Sequence, residues 1–248
     1  MTPVVSIVMP AYNSADFISA SVQSVIAQSF TDWELIIVDD ASSDDTVAVV
    51  NQLQLNEPRI QFIALGQNQG AAVARNTAIE AAKGRYIAFL DCDDLWLPHK
   101  LERQLAAMTE QQSALSYSAY HVINETNERL ATFVPPAQVT YKDLLRTCSI
   151  GCLTAMYDTK QLGKVTMPLI RKRQDYGLWL KILKQTPVAH GITEPLAEYR
   201  QRENSISSNK LKAAQYQWKI YRDVEQLSWL RSVYYFVNYA VAGVLKYR

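Results

Sequence analysis

Residues 86–96 read YIAFLDCDDLW, and the organisation of the whole chain follows from that stretch. Five apolar and strand-forming residues run without a polar break into Asp91, Asp93 and Asp94, which describes a buried strand ending on three carboxylates. Carboxylates this close repel one another unless a cation or hydrogen-bond donors neutralise them. At a strand end a divalent cation is the natural neutraliser. Oxygen-only ligands suit Mg2+ or Mn2+, with positions left open for the oxygens of a substrate diphosphate. The competing reading is an acidic turn ahead of a helix, which needs only one of the three.

Working outward, three more apolar, β-branched runs precede this one, at residues 4–9, 34–38 and 60–65, each followed by a helix-like stretch. That alternation predicts an α/β domain with a parallel sheet and crossover helices. The first helix carries Phe17, Ala20, Ser21, Ser24, Val25 and Gln28 at helical spacing, with Ser14 or Asp16 to cap it. The second starts at Asp44 and Asp45 and runs through Val47, Val50 and Leu53. The third spans residues 70–83 and stops at Gly84, read as a C-terminal cap. Beyond residue 110 the pattern loosens: strands are expected at 114–122 and 151–157, helices at 141–146 and 175–183. Pro135-Pro136 and residues 164–173 read as mobile loops.

Ligands of open parallel sheets bind beyond the carboxyl ends of the strands. The residues there are Pro10 to Asn13, Asp39-Asp40, Gly66 to Asn68, and Asp91 to Asp94. Asp39-Asp40 and Asp44-Asp45 serve equally well as helix caps. The turn after the first strand, PAYNSAD, has none of the glycines a dinucleotide-binding turn needs, which sets aside a Rossmann oxidoreductase. A sugar nucleotidyltransferase would show a Gly-rich basic phosphate loop near the N-terminus, also missing. A non-catalytic nucleotide-sugar-binding protein remains as an alternative.

Composition narrows the classes further. With 25 basic and 24 acidic residues the net charge is +1, so no global field recruits nucleic acid. Cys92, Cys148 and Cys152 read as reduced thiols, and Cys148 and Cys152 lack further ligands at finger spacing for zinc. The N-terminal MTPVVSIVMPAYN reads as a strand, and no apolar run reaches the roughly 20 residues that span a bilayer. The expectation is a cytoplasmic protein, at most peripheral on the cytoplasmic face of the inner membrane. A length of 248 residues suits one large core with an appendage.

Residues 5–13 (VSIVMPAYN), 34–46 (ELIIVDDASSDDT), 68–94 and 173–181 (RQDYGLWLK) together resemble the family 2 glycosyltransferases, over about residues 4–200. The resemblance implies the GT-A nucleotide-diphosphosugar fold: a mostly parallel central sheet flanked by helices, with a C-terminal helical segment. It divides the chain into a donor-binding half (1–110), an acceptor-binding and catalytic-base half (111–205) and a C-terminal helical extension (206–248). It further implies an inverting transfer of one sugar from a UDP-sugar to a glycan or undecaprenyl-diphosphate-linked acceptor, with Mg2+ or Mn2+. On that basis Tyr12 lies against the base and Pro10 starts the turn that places it. Asp40 accepts the uracil N3 hydrogen, and Arg75 approaches the base carbonyls. Asp93 meets the ribose and the metal, Asp94 is a metal ligand, and Asp91 completes the D-x-D. Asp175 resembles the general base, although this chain has Gln174-Asp175 where the family often has Glu-Asp. The Gln-x-x-Arg-Trp motif of processive synthases is absent, which implies single additions.

Several of these residues have plainer readings: a surface salt bridge for Arg75 and an N-cap for Asp175. Arg173 and Arg200, with Arg171, Lys172 and Arg202, form a basic cluster around the expected acceptor cleft. With Trp179 they are candidates for diphosphate or acceptor contacts; a solvated surface explains the charges equally well. In residues 227–248, Trp229, Val233, Phe236, Val237, Ala240 and Val244 make one helical stripe, and Leu230, Tyr234, Tyr235 and Val241 make the other side apolar too. With Arg231, Lys246 and Arg248 this suits a helix in a membrane interface, or one packed on protein, including a homodimer partner.

Overall fold

The computed structural model describes residues 2–202 and 210–245, with backbone only at 210–212 and 242–245. In chain order the elements are β1 (Val5–Ala11), α1 (Ala15–Ile26), β2 (Trp33–Asp39), α2 (Thr46–Asn56), β3 (Ile60–Ala64), α3 (Ala71–Ala81), β4 (Tyr86–Phe89), β5 (Leu95–Trp96) and α4 (Lys100–Glu110). The second half adds β6 (Leu115–Ile123), β7 (Arg129–Phe133), β8 (Gln138–Val139), α5 (Tyr141–Arg146), a 3-10 turn (Cys152–Thr154), β9 (Met156–Asp158), α6 (Thr159–Leu162), α7 (Gln174–Leu183) and β10 (Ala189–Arg200). The chain closes with α8 (Lys210–Lys219), which runs into a π turn (Ile220–Val224), and then α9 (Trp229–Leu245).

The ten strands among the described residues join one sheet in the order β3-β2-β1-β4-β9-β6-β10-β5, with β7 on β6 and β8 on β10. β3, β2, β1 and β4 are mutually parallel, and β10 is parallel to β6. β9 runs antiparallel to both β4 and β6. The sheet is thus mixed and mostly parallel, flanked by helices and followed by a helical segment. The largely apolar strand runs are explained by two cores. Val5, Ile7 and Met9 pack with Ile18, Val22 and Val25 of α1, while Val8 packs on the opposite face with Ala74 and Ala78 of α3.

The four N-terminal strands fall where the sequence placed them, but several local readings change. Pro10 does not start a turn: it lies inside β1, opposite Val38. The carbonyl of Val8 accepts the last β1–β4 bond, from Leu90, so Val8 and Pro10 face β4 and the missing N–H falls where that pairing has ended. Ser14 does not cap α1 with its side chain; its hydroxyl donates to Tyr12 O at 2.9 Å, and Asp44 of the neighbouring loop accepts the Ala15 amide. Nor is Gly84 a left-handed cap. Its N–H donates to Ser6 Oγ at 2.7 Å, and a Cβ there would stand 2.6 Å from the Ser6 nitrogen, so the position needs glycine for close approach.

The expected strand at 151–157 is instead a 3-10 turn followed by the short β9. The turn aims the carbonyls of Leu153 and Thr154 at Trp96 Nε1 and Gln104 Nε2, each within 2.9 Å. The two segments read as mobile loops are tied down. Tyr117 donates to Pro136 O at 2.8 Å, and Asn76 bonds Met167 through both its side-chain donor and acceptor. The long β10 was not anticipated, because Gly191 and Pro195 interrupt its apolar pattern and two register shifts accommodate them.

α4 opens with a buried lysine. The Lys100 ammonium lies 3.9 Å from the Trp96 ring centroid and has no hydrogen-bond partner among the described residues. Burial pushes its pKa well below the ordinary lysine range. A depressed folded pKa means that the stability due to this group is present above the unfolded pKa, about 10.4, and is lost as pH falls. Lys100→Met is therefore expected to stabilise the fold by about 1 kcal/mol at neutral pH, with the gain shrinking as pH approaches 10, as measured by denaturant unfolding at both pH values.

Candidate active site

β1, β2 and β4 end side by side, and their loops build the first half of the site. After β1, Tyr12 is 50% exposed and Asn13 takes a left-handed backbone with φ 46. The Asn13 side chain accepts Ser43 N at 2.8 Å, and its amide donates to Ser42 Oγ at 2.9 Å. Ser42 in turn donates through its amide to Asp39 at 2.9 Å, so Asp39 builds the loop. Asp40 is 3% exposed and holds the start of α3: Oδ1 accepts Gln69 N at 2.7 Å and Oδ2 accepts Gly70 N at 2.8 Å. A carboxylate oxygen has two lone pairs, so each still has one acceptor site. Asp40 is a structural cap that retains room for a ligand donor.

At the acidic strand end the three carboxylates take different partners. Asp91 Oδ1 accepts Arg75 Nη2 at 2.5 Å, and Arg75 is 7% exposed, so this is a buried pair and not a surface bridge. Burial alone would lower the guanidinium's pKa; the Asp91 carboxylate reverses that and raises it. Asp94 is 2% exposed and its Oδ1 accepts the Arg200 amide at 2.8 Å. Burial, reinforced by Asp93 and Asp91, lifts its pKa well above the carboxylate range. Asp93 is partly buried, with Oδ2 3.5 Å from Arg202 Nη1; burial and then Asp91 raise its pKa.

Among the described residues no three Asp, Glu, His or Cys side chains converge on one metal position. A metal touched by only two of Asp91, Asp93 and Asp94 needs no such group of three. The chemistry of the donor set still fits a more open site. Mg2+ is commonly held by one or two carboxylates plus substrate phosphates. Burial and mutual repulsion leave the carboxylates here short of positive charge.

Asp175 occupies the first turn of α7, and the N-cap position belongs to Arg173, so Asp175 is not the cap. Burial raises its pKa; Arg75 opposes the rise and Asp91 adds to it. Arg75 thus acts electrostatically on two carboxylates, Asp91 after β4 and Asp175 in α7. The structure brings these three into one charge cluster.

Three expected ligand contacts are engaged elsewhere. Trp179 is fully buried, edge-on to Phe89 with centroids 5.3 Å apart, and is a core residue. Arg200 is 4% exposed; its Nε donates to Asp93 O and its Nη1 to Asn127 Oδ1, which leaves it holding loops and not an acceptor. Arg173 directs its guanidinium to Gln217 and Tyr239 of the C-terminal helices. Sequence reasoning gave Cys152 no place in the site, yet its thiol shares the field of Arg75, Asp91 and Asp175. Nothing local in the sequence marks it, because the 3-10 turn that carries it is set by contacts from α4.

The comparisons with known proteins agree with this geometry. A model described as glycosyl transferase family 2 matches residues 6–155. The chain is 46% identical over 245 residues to a protein of Bacillus subtilis described as a teichuronic acid biosynthesis glycosyltransferase, TuaG, covering 98% of this chain and 97% of that one. It is 42% identical over 244 residues to the Escherichia coli UDP-Glc:alpha-D-GlcNAc-diphosphoundecaprenol beta-1,3-glucosyltransferase WfgD, covering 98% and 94%. Among solved structures, S. aureus TarS 1-349 in complex with UDP-GlcNAc matches with a TM-score of 0.72 at 21% identity, over 95% of this chain and 71% of that one. The mannosyltransferase PcManGT from Pyrobaculum calidifontis, in complex with GDP-Man and Mn2+, matches at 0.69 and 17% identity, over 98% and 74%. These two likenesses establish the fold. With a GT-A sheet, an acidic strand end and a family match across more than half its length, the chain belongs to glycosyl transferase family 2 and is a glycosyltransferase.

Proposed function

We propose that the protein transfers one sugar, with inversion, from a UDP-sugar to a hydroxyl of a lipid-linked or growing surface glycan. The observation that carries this reading is the placement of Asp175 and Asp91 around the buried guanidinium of Arg75. The relative WfgD carries a UDP-Glc donor and an undecaprenol-diphosphate acceptor in its name, and TuaG a role in teichuronic acid biosynthesis. In the proposed reaction the acceptor oxygen attacks the anomeric carbon opposite the diphosphate. The bond from that carbon to the diphosphate oxygen breaks, and Asp175 takes the acceptor proton. Its raised pKa makes it a stronger base than an exposed aspartate. Asp40 offers its remaining lone pairs to a uracil N3 hydrogen, which cytosine lacks at that atom. Tyr12 lies beside it as an exposed ring. Mg2+ or Mn2+, held by Asp93 with Asp91 or Asp94, would supply charge neutralisation at the departing diphosphate.

The acceptor would be met at a membrane surface. No helix among the described residues is long and apolar enough to cross a membrane. α9 nevertheless exposes Leu230, Tyr234, Val237 and Val241 along one face, and residues 226–248 contain Arg231, Lys246 and Arg248 with no acidic residue. That combination suits peripheral attachment to an anionic leaflet.

Three measurements test this reading. Asp175→Asn should lower kcat about 10²-fold or more while leaving UDP affinity nearly unchanged, since asparagine keeps size but cannot take the proton. Near wild-type turnover in that variant would remove the base. Nucleoside diphosphate release with UDP-sugars should vanish on chelation and return with Mg2+ or Mn2+, and UDP should bind more tightly than GDP by calorimetry. Consumption of a nucleoside triphosphate would point instead to a nucleotidyltransferase. Because the folded pKa of Asp175 is raised, kcat should fall as pH drops through a value above the ordinary aspartate range near 3.8, when the carboxyl becomes protonated. A kcat independent of pH down to that range would contradict the assignment.

A further inference from the structure

Arg173 is a non-glycine residue in a left-handed backbone, with φ 61 and ψ 25, at the N-cap of α7 and two residues before Asp175. A β-carbon disfavours this conformation, and such residues persist where their surroundings hold them. Here the hold comes from the C-terminal helices. Arg173 Nη1 donates to Gln217 Oε1 at 2.5 Å, and Nη2 donates to Tyr239 Oη at 2.7 Å. The guanidinium carbon also stands 5.0 Å from the Tyr239 ring centroid. Gln217 is 1% exposed, and its Nε2 donates to Tyr176 Oη at 3.3 Å, while that hydroxyl donates to Leu144 O at 3.0 Å. The Arg173 carbonyl then accepts the Gly177 amide at 3.1 Å, closing the first turn of α7. On its other side that turn is tight: a Cβ on Gly177 would lie 2.5 Å from Pro168.

We propose that Arg173, Gln217 and Tyr239 form a clamp through which α8 and α9 set the position of Asp175, so that the C-terminal segment belongs to the catalytic apparatus. The proposal rests on Asp175 being the base. Arg173 and its partners act as positioning residues: both terminal nitrogens of the guanidinium are engaged by the C-terminal helices. A base acts only within hydrogen-bond reach of the proton it takes, and displacement by about 1 Å costs on the order of 10²-fold in rate. Two contacts from separate helices to one planar fork fix an angle as well as a distance, which a lysine ammonium cannot do.

The test uses the full chain with UDP-sugar and a lipid-linked acceptor. Tyr239→Phe removes one hydroxyl and keeps the ring, so its fold should be preserved. Arg173→Lys keeps the charge and loses the fork. Both are expected to lower kcat about tenfold, with UDP affinity within twofold of wild type and an unchanged thermal midpoint for Tyr239→Phe. In an Asp175→Asn background, Tyr239→Phe should lower kcat no further, because the clamp would have no base left to place. Wild-type kcat in Tyr239→Phe and Arg173→Lys, alongside a slow Asp175→Asn, would overturn the clamp and leave the base standing. Parallel loss of kcat and UDP affinity, or full additivity with Asp175→Asn, would also overturn the clamp. Wild-type turnover in Asp175→Asn would overturn base and clamp together.

Discussion

The site is organised around one buried cation. Arg75 has a nearly inaccessible guanidinium, and its position on α3 is fixed because that helix packs by small residues, Ala74 and Ala78, against the sheet. Around it stand carboxylates from two distant parts of the chain, Asp91 at the end of β4 and Asp175 at the start of α7. Removing a single ionised group from such a cluster leaves its partners buried and uncompensated, which costs more than the pair contributes when intact. Each carboxylate therefore depends on the cation, and the cation on the tight packing of α3. Arg75 Nε has no hydrogen-bond partner among the described residues, so a further acceptor near it would be strongly held.

The part of this arrangement that the sequence displays is the part set by periodicity. Residues 4–9, 34–38, 60–65 and 86–90 are largely apolar because both sheet faces are covered, and their shortness and β-branched content separate them from buried helix segments. The acidic residues that follow them are equally visible. What the sequence hides is partnership. Asp40 reads both as a cap and as a ligand contact, and in the structure it caps α3 with acceptor capacity left over. Trp179 and Arg200 look like surface contacts because a helix start and a strand end carry no mark of what will be packed against them. Trp179 packs on Phe89 of β4, and Arg200 bonds Asn127 in the loop between β6 and β7.

The second half is harder to read for a physical reason. β10 contains Gly191 and Pro195, each disfavoured in a strand interior, and it survives as a strand because β6, β8 and β5 all pair with it. Its end delivers the Arg200 amide to Asp94, a contact spanning 106 positions in the chain. α8 and α9 likewise take their meaning from Arg173, whose backbone angle is invisible to composition. Long-range contacts of this kind override local preference, and the features that place the charged groups of the candidate site are made of them.

Pro10 has a geometric consequence. Parallel strands held by a continuous ladder stay about 4.8 Å apart, too close for anything to enter between them. Beyond the Val8 carbonyl, β1 has no N–H to offer β4, so the ladder between the two strands ends there. The loops that follow are joined by side chains instead of by the ladder: Cys92 Sγ donates to Ser14 Oγ at 2.9 Å. A single absent hydrogen thus hands the joining of two strands, at the mouth of the site, from backbone to side chains.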